Sequence, residues 1–328
     1  MKRLLVSMLA LALVFASCSK SEEEEPNHIA ELEQQLRTTD VNAHPELRHF
    51  QNTPLSAGKR SARVLCIGNS YTMDAVRYIT SLMAGAGISD TCYTICVVAK
   101  GGASLQTWWE TLNGEETLDV FRVGKKSIAL TRGTLKDLIA QPWDIVTLQQ
   151  YSAYAINYGS FNPWLQQLID YIRANCTNPD VTLAWQTAWA YSENYGPGVD
   201  SYERWLFISL AVQQMVMKDG IDVLIPTGTA IQNARTTSLN TVGELTRDGT
   251  HLDAGVGCYI ASCTWVQALF GPVFGISVSG NGATPPVQTV TGDILYPAQP
   301  ITSDNRDLCQ RCAVAAVEYP FSILPSEK

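Results

Sequence analysis

The chain has 328 residues, 46% of them hydrophobic and 16% charged, with 23 glycines and 15 prolines. This is ordinary globular composition, with neither a low-complexity nor a disordered bias, and the length suits one large α/β domain or two small ones. A formal net charge of -8 argues against nucleic acid or an anionic surface as partner.

Met1-Lys2-Arg3 begins the chain with positive charge, and Leu4 to Phe15 follows as an apolar stretch too short to span a bilayer comfortably. Small residues Ala16 and Ser17 then precede Cys18. The arrangement resembles the signal of bacterial lipoproteins, although Phe15 stands where leucine is usual. That resemblance implies removal of residues 1–17, acylation of Cys18, and an exported protein held at the outer membrane, facing the periplasm or the cell surface. Ser19-Lys20-Ser21 and the four acids Glu22 to Glu25 read as a solvated tether. They also resemble the acidic signal that sends some lipoproteins to the cell surface. The membrane is expected as a partner only through this anchor.

Residues 18–61 form a polar lead-in with a short helix expected around Ile29 to Arg37. From residue 62 onward the pattern is that of one domain. Val64-Leu65-Cys66-Ile67 is a short apolar run, as for a strand buried on both faces, and Gly68-Asn69-Ser70 breaks it. Ala75, Val76, Ile79, Leu82, Met83 and Ala86 then recur at helical spacing. Further strands are expected at Tyr93 to Ala99, Trp143 to Leu148, Val181 to Trp185 and Asp222 to Ile225. Helices are expected over Asn162 to Ala174, Tyr202 to Lys218, Gly255 to Phe270 and Asp304 to Tyr319. Strand–helix alternation of this kind predicts a three-layer α/β/α sandwich, flavodoxin-like, around a parallel sheet of about five strands. A Gly-, Ser- and Pro-rich excursion and a C-terminal extension follow residue 271.

Beyond Cys18 there are eight cysteines, for which buried free thiols or one or two bridges are the default. Of four histidines, His28, His44 and His49 fall in the lead-in, so His251 alone belongs to the α/β body. One imidazole and scattered thiols do not make a recognisable zinc site, and no metal or cofactor is expected. His251 lies in Asp248-Gly249-Thr250-His251, where the spacing can set a carboxylate against imidazole Nδ1 while the other nitrogen faces a hydroxyl. Alone, such a motif is short enough to arise by chance as a surface turn. Ser70 ends the first strand, at the end of the sheet where open α/β proteins place their ligands.

Together, Gly68-Asn69-Ser70-Tyr71-Thr72 and Asp248-Gly249-Thr250-His251-Leu252 resemble the first and last blocks of the SGNH (GDSL-like) hydrolase superfamily, in the right order. More closely they resemble its uncharacterised bacterial branch with G-N-S-[FY]-T and D-G-x-H-L forms, over roughly residues 62–272. The resemblance implies Ser70 as nucleophile, His251 as base and Asp248 as its orienting acid. It also implies an oxyanion hole from the backbone N–H groups of Ser70 and of Gly102, with Gly101 as alternative. The asparagine of the third block is missing. Leu148-Gln149-Gln150 stands there, and Gln149, or nearly as well Gln150, supplies an amide instead.

The expected function is that of a serine esterase acting on a small or glycan ester, acetyl above all. Trp108, Gln150, Gln186 and Trp189 are candidates for the substrate rim, since aromatic faces beside amides suit sugar rings. Two other readings share the sequence: a lipid or peptidoglycan acyl hydrolase with the same three residues, and a surface glycan-binding lipoprotein without turnover.

Overall fold

The computed structural model describes residues 28–38, 61–193, 195 and 200–324. The signal, Cys18 and most of the lead-in lie outside the described residues. The strands are β1 Ala62–Gly68, β2 Tyr93–Ala99, β3 Leu118–Asp119, β4 Phe121–Gly124, β5 Arg132–Gly133, β6 Ile145–Leu148, β7 Thr182–Gln186 and β8 Val223–Ile225. The α-helices are α1 His28–Thr38, α2 Ser70–Ala75, α3 Ile79–Gly85, α4 Leu105–Asn113, α5 Leu135–Ile139, α6 Trp164–Asn175, α7 Ser201–Lys218, α8 Thr227–Arg235, α9 Val256–Trp265, α10 Gly271–Phe274 and α11 Ser303–Glu318.

Six strands form the main sheet in the order β4-β2-β1-β6-β7-β8. The neighbours from β2 to β8 are all parallel, and β4 joins β2 antiparallel as an edge strand. The five parallel strands are the five expected. The sixth strand was not read, because Phe121–Gly124 buries only Val123 and so shows no apolar run. In contrast, β1 and β2 are buried along nearly their whole length, the condition for the unbroken runs seen in the sequence.

From β1 the chain steps one way to β2 and then back past β1 to β6. Right-handed crossovers in opposite directions put their helices on opposite faces. Accordingly α4, α5 and α6 pack together, while α2, α3, α8, α9 and α11 form a separate layer. Ser70 follows the carboxyl end of β1, beside this reversal, where open α/β sheets bind their ligands. The helix expected from Ala75 onward is two short ones, α2 and α3, separated by Val76–Tyr78. The helix from Val256 runs on as a π-helical turn, Val266–Phe270, into α10. This 19-residue stretch is apolar enough to cross a membrane, but it is 83% buried and forms the centre of its helical layer.

All eight described cysteines are free, and seven of them are buried. The short expected helix in the lead-in is α1, which sets Leu32 and Leu36 against Trp205, Leu206 and Leu210 of α7. The C-terminal segment belongs to the core: α11 packs on α8 and α9 through residues such as Cys309, Cys312, Ala313 and Ala316, all wholly buried.

Candidate active site

Each residue of the segment that follows β1 has a local task. A Cβ on Gly68 would sit 2.2 Å from the hydroxyl of Thr72, so only glycine lets the first turn of α2 fold over the strand end. Asn69 caps α2, its side-chain oxygen accepting from the Tyr71 amide at 3.0 Å. Its side-chain nitrogen donates to the Ala103 carbonyl at 3.1 Å, which ties this loop to that of Gly102. Tyr71 is stacked on Trp189, ring centroids 3.7 Å apart and nearly parallel, and presents an edge to His251. Ser70 is thereby fixed between two packed neighbours while its own side chain stays half-buried.

The loop of His251 meets it. His251 Nε2 lies 2.9 Å from Ser70 Oγ, and His251 Nδ1 lies 2.6 Å from an oxygen of Asp248. The other oxygen of Asp248 accepts from the amides of His251 at 2.7 Å and Thr250 at 2.9 Å, and from the Thr250 hydroxyl at 3.0 Å. Gly249 supplies the turn at φ +92, where a side chain would be strained. The structure therefore brings together Ser70, Asp248 and His251, 181 residues apart at their extremes, in hydrogen-bonded sequence.

Burial works to raise the Asp248 pKa, but the hydrogen bonds from the backbone and ring of His251 and from Thr250 outweigh it, and the carboxyl is held below its ordinary value of 3.8. A carboxylate that stays ionised keeps the Nδ1 proton on the ring and leaves Nε2 free to accept one. The lowered value has a consequence for stability. Its contribution is fully present above the unfolded carboxyl pKa, and it is lost as pH falls through the lower folded one. The stability difference between wild type and Asp248→Asn is expected to shrink as pH falls below about 4, where the folded carboxyl takes up its proton; urea unfolding of both proteins from pH 5 downward measures it.

The loop is clamped to α2 by a buried ion pair. Arg247 Nη1 donates to both oxygens of Asp74, at 3.0 and 2.9 Å, and to the Leu252 carbonyl at 2.6 Å, while the Leu252 amide donates to Asp74 at 3.2 Å. Beyond the loop, Asp253 accepts from the amides of Gly255, Gly257 and Gln299 and so anchors the start of α9; burial pushes its carboxyl up to about 6.

The two glutamines after β6 part company. Gln150 is consumed structurally: its oxygen accepts from the amides of Leu105 and Tyr151, and its nitrogen donates to the carbonyl and hydroxyl of Ser160. Gln149 has its oxygen held by the Thr72 hydroxyl at 2.8 Å, whereas its buried amide nitrogen has no partner among the described residues. Gln186, at the end of β7, shares this Thr72 contact at 3.4 Å and likewise has an unpartnered, buried nitrogen. Gly102 adopts φ +65, with the ring of Tyr151 lying 3.7 Å from where a Cβ would be.

Three rim expectations are corrected. Trp108 is 1% exposed and turned into the core, because Leu105, Trp108 and Leu112 form the apolar stripe of α4. Trp189 is wholly buried beneath Tyr71, its indole nitrogen donating to the Thr250 carbonyl at 2.7 Å. Gln150 has no free amide for a substrate. The aromatic residues at the surface here are tyrosines, among them Tyr154 and Tyr195, about half exposed. Reading the sequence missed these two, together with Asn69, Thr72, Asp74 and Arg247; Asp74 could have been noticed as an acid on the inward face of an apolar helix.

A crystal structure of a DUF4886 family protein from Bacteroides uniformis is similar, with a TM-score of 0.66 and 29% identity over 80% of this chain and 97% of that one. A candidate SGNH hydrolase from Slackia heliotrinireducens gives a TM-score of 0.45 at 18% identity, over 64% of this chain and 99% of its own. Axe2, an acetylxylan esterase from Geobacillus stearothermophilus, gives 0.43 at 13% identity, over 64% of this chain and 96% of its own. No curated protein matches. Residues 63–290 match the family DUF4886, a domain of unknown function, and as that span is well over half of the sequence, the chain belongs to this family.

Proposed function

We propose that the protein is an SGNH-type serine esterase that removes short acyl groups, acetyl above all, from carbohydrate. The observation that carries this reading is the unbroken hydrogen-bonded series from Ser70 through His251 to Asp248. A serine hydroxyl is a weak nucleophile unless a base lies within hydrogen-bond reach, and the base needs a partner that fixes its tautomer. In the mechanism, Ser70 Oγ attacks the ester carbonyl carbon as its proton passes to His251 Nε2. The charge that develops on the carbonyl oxygen is received by the backbone N–H groups of Ser70 and Gly102 and by the Gln149 amide. Collapse of the tetrahedral intermediate breaks the bond to the sugar oxygen, which takes the proton from His251. Water then attacks the acyl-serine, gives its proton to His251, and releases the carboxylic acid and the free hydroxyl.

Two observations support the assignment of Gln149. Its oxygen is pinned by Thr72, which leaves the nitrogen as the free end, and a buried N–H without a partner carries a cost unless something else satisfies it. The ring of Tyr151 over Gly102 supports a small acyl group, since it closes the space beside that backbone. The anchor at Cys18 and the location at the outer membrane are part of the same proposal and rest on the N-terminal sequence.

Kinetics on acetyl, butyryl and octanoyl esters of p-nitrophenol test the substrate class. The acetyl ester is expected to give the highest kcat/KM, by at least about tenfold over octanoyl, since even one methylene that a confined site rejects is worth roughly 1–3 kcal/mol. Preference for octanoyl would favour the lipid hydrolase, and an absence of hydrolysis with every ester would favour a binding protein.

A further inference from the structure

We propose that Tyr154 and Tyr195, each braced by an inner tyrosine, form a ledge that binds the sugar rings flanking the acylated unit of a neutral oligosaccharide. This deepens the esterase reading and rests on it. Tyr151 and Tyr154 come from the loop after β6, and Tyr191 and Tyr195 from the loop after β7. Both loops leave the carboxyl ends of parallel strands, the same end of the sheet as Ser70.

The ledge borders the reacting groups on two sides. Tyr151 lies against Gly102, in the loop assigned to the oxyanion. Tyr195 lies against Gly249, between Asp248 and His251, where a Cβ would come within 2.7 Å of its ring. In each loop an inner ring supports an outer one edge-on: Tyr151 with Tyr154 at 5.4 Å and 89°, and Tyr191 with Tyr195 at 5.2 Å and 77°. The inner rings are half-buried, while Tyr154 and Tyr195 are 52% and 49% exposed. A single exposed tyrosine needs no explanation. Two of them, each buttressed and each on a loop that borders a different half of the same site, do.

The inner support of the ledge is also built before any ligand arrives. The Ser152 and Tyr191 hydroxyls are 3.0 Å apart and join the two loops. Arg204 donates to the Ser152 carbonyl at 2.9 Å and lays its guanidinium 3.8 Å over the Tyr191 ring. Surfaces ordered in advance lose less entropy on binding. Their chemistry fits a polyol better than an acyl chain. A pyranose presents a C–H face to an aromatic ring and hydroxyls around it, and the exposed carboxylates of Glu193 and Asp200 on the β7 loop can accept from those hydroxyls. The same carboxylates disfavour a polyanionic glycan.

The test compares p-nitrophenyl acetate with O-acetylated neutral gluco-, manno- and xylo-oligosaccharides as substrates of wild type, Tyr154→Ala, Tyr195→Ala and the double variant. Each single variant is expected to lose about 3- to 10-fold in kcat/KM on the favoured oligosaccharide, mostly in KM, over and above any change on p-nitrophenyl acetate. Tyr→Phe at either position should restore most of it, because stacking needs the ring. Equal losses on both substrates, or an unchanged KM in the double variant, would overturn the ledge while leaving the esterase standing. Wild-type hydrolysis of p-nitrophenyl acetate without hydrolysis of any oligosaccharide would overturn it too. A wild type inactive on every ester would remove the esterase reading and the ledge with it.

Discussion

Ser70→Ala is expected to lower hydrolysis of p-nitrophenyl acetate by roughly 10³- to 10⁶-fold, the range seen when the nucleophile of a Ser-His-Asp system is removed. Each factor of ten corresponds to about 1.4 kcal/mol of transition-state stabilisation, so the loss would exceed the net worth of any one hydrogen bond at the site. What disappears is a covalent route. The fold should scarcely notice: the hydroxyl's hydrogen bond is to His251, whose ring is 30% exposed and can bond to water instead. Stability is expected to stay within about 1 kcal/mol of wild type, which thermal unfolding checks. A fluorophosphonate probe should label wild type at Ser70 and leave Ser70→Ala unlabelled. His251→Asn should cost nearly as much as Ser70→Ala, and the double variant little more than either, because residues that act as a unit are not additive. Hydrolysis that survives Ser70→Ala would place the nucleophile elsewhere and end the proposal.

The parts of this molecule that could be read from sequence are those in which one residue type or one period carries the information. The parallel strands showed themselves because burial on both faces demands unbroken apolar runs such as Val64 to Ile67. The hydrogen-bonded set of Ser70, His251 and Asp248 was legible because the α/β body holds a single histidine, with an acid three residues before it, and because the blocks around Ser70 and His251 resemble those of SGNH hydrolases. Helix α8 was not legible. All nine of its residues are buried between α9 and α11, including Thr227, Asn233 and Arg235, so it shows no amphipathic stripe. Trp108 was misplaced for the opposite reason: its period with Leu105 and Leu112 marks it as core, but its position after the glycine loop drew attention to the rim. Contacts between distant polar residues leave no periodic trace. Thr72 with Gln149 and Asp74 with Arg247 are 77 and 173 residues apart, and only the folded chain shows that they orient the site.

Arg247→Met is expected to destabilise the protein by about 3–5 kcal/mol, because it leaves the buried Asp74 carboxylate without its hydrogen-bonded cation and with only Arg77, 3.6 Å away, as an opposing charge. In a domain of this size that is on the order of 10 °C in Tm. Asp74 is almost fully buried, and burial pushes its carboxyl above 3.8 despite the opposing charge of Arg247. The sign of the pH effect follows. A carboxyl with a raised folded pKa binds its proton more tightly in the folded state, so stability is lost as pH rises through that folded value and regained below it. Without Arg247 the value rises further, and the deficit should be largest near pH 8 and narrower near pH 5. Asp74→Asn instead strands a guanidinium that cannot give up its proton in this range, so its deficit should not narrow on acidification. The double variant Asp74→Leu/Arg247→Met should cost less than the sum of the single changes, since the charge it leaves without a partner is only that of the less buried Arg77. Catalysis offers a separate measure. Arg247 and Leu252 bracket Asp248 and His251, and both are bonded to Asp74 in the helix that begins with Ser70. Loosening that clamp lets the imidazole drift from the hydroxyl, and a displacement of about 1 Å can cost on the order of 100-fold in rate. Folded Arg247→Met is therefore expected to lose kcat far more than KM, and Arg247→Lys, which keeps the charge, to recover part of both activity and Tm. A variant with the Tm and kcat of wild type would show that the loop is held by other contacts, and the ion pair would then have no part in aligning the site.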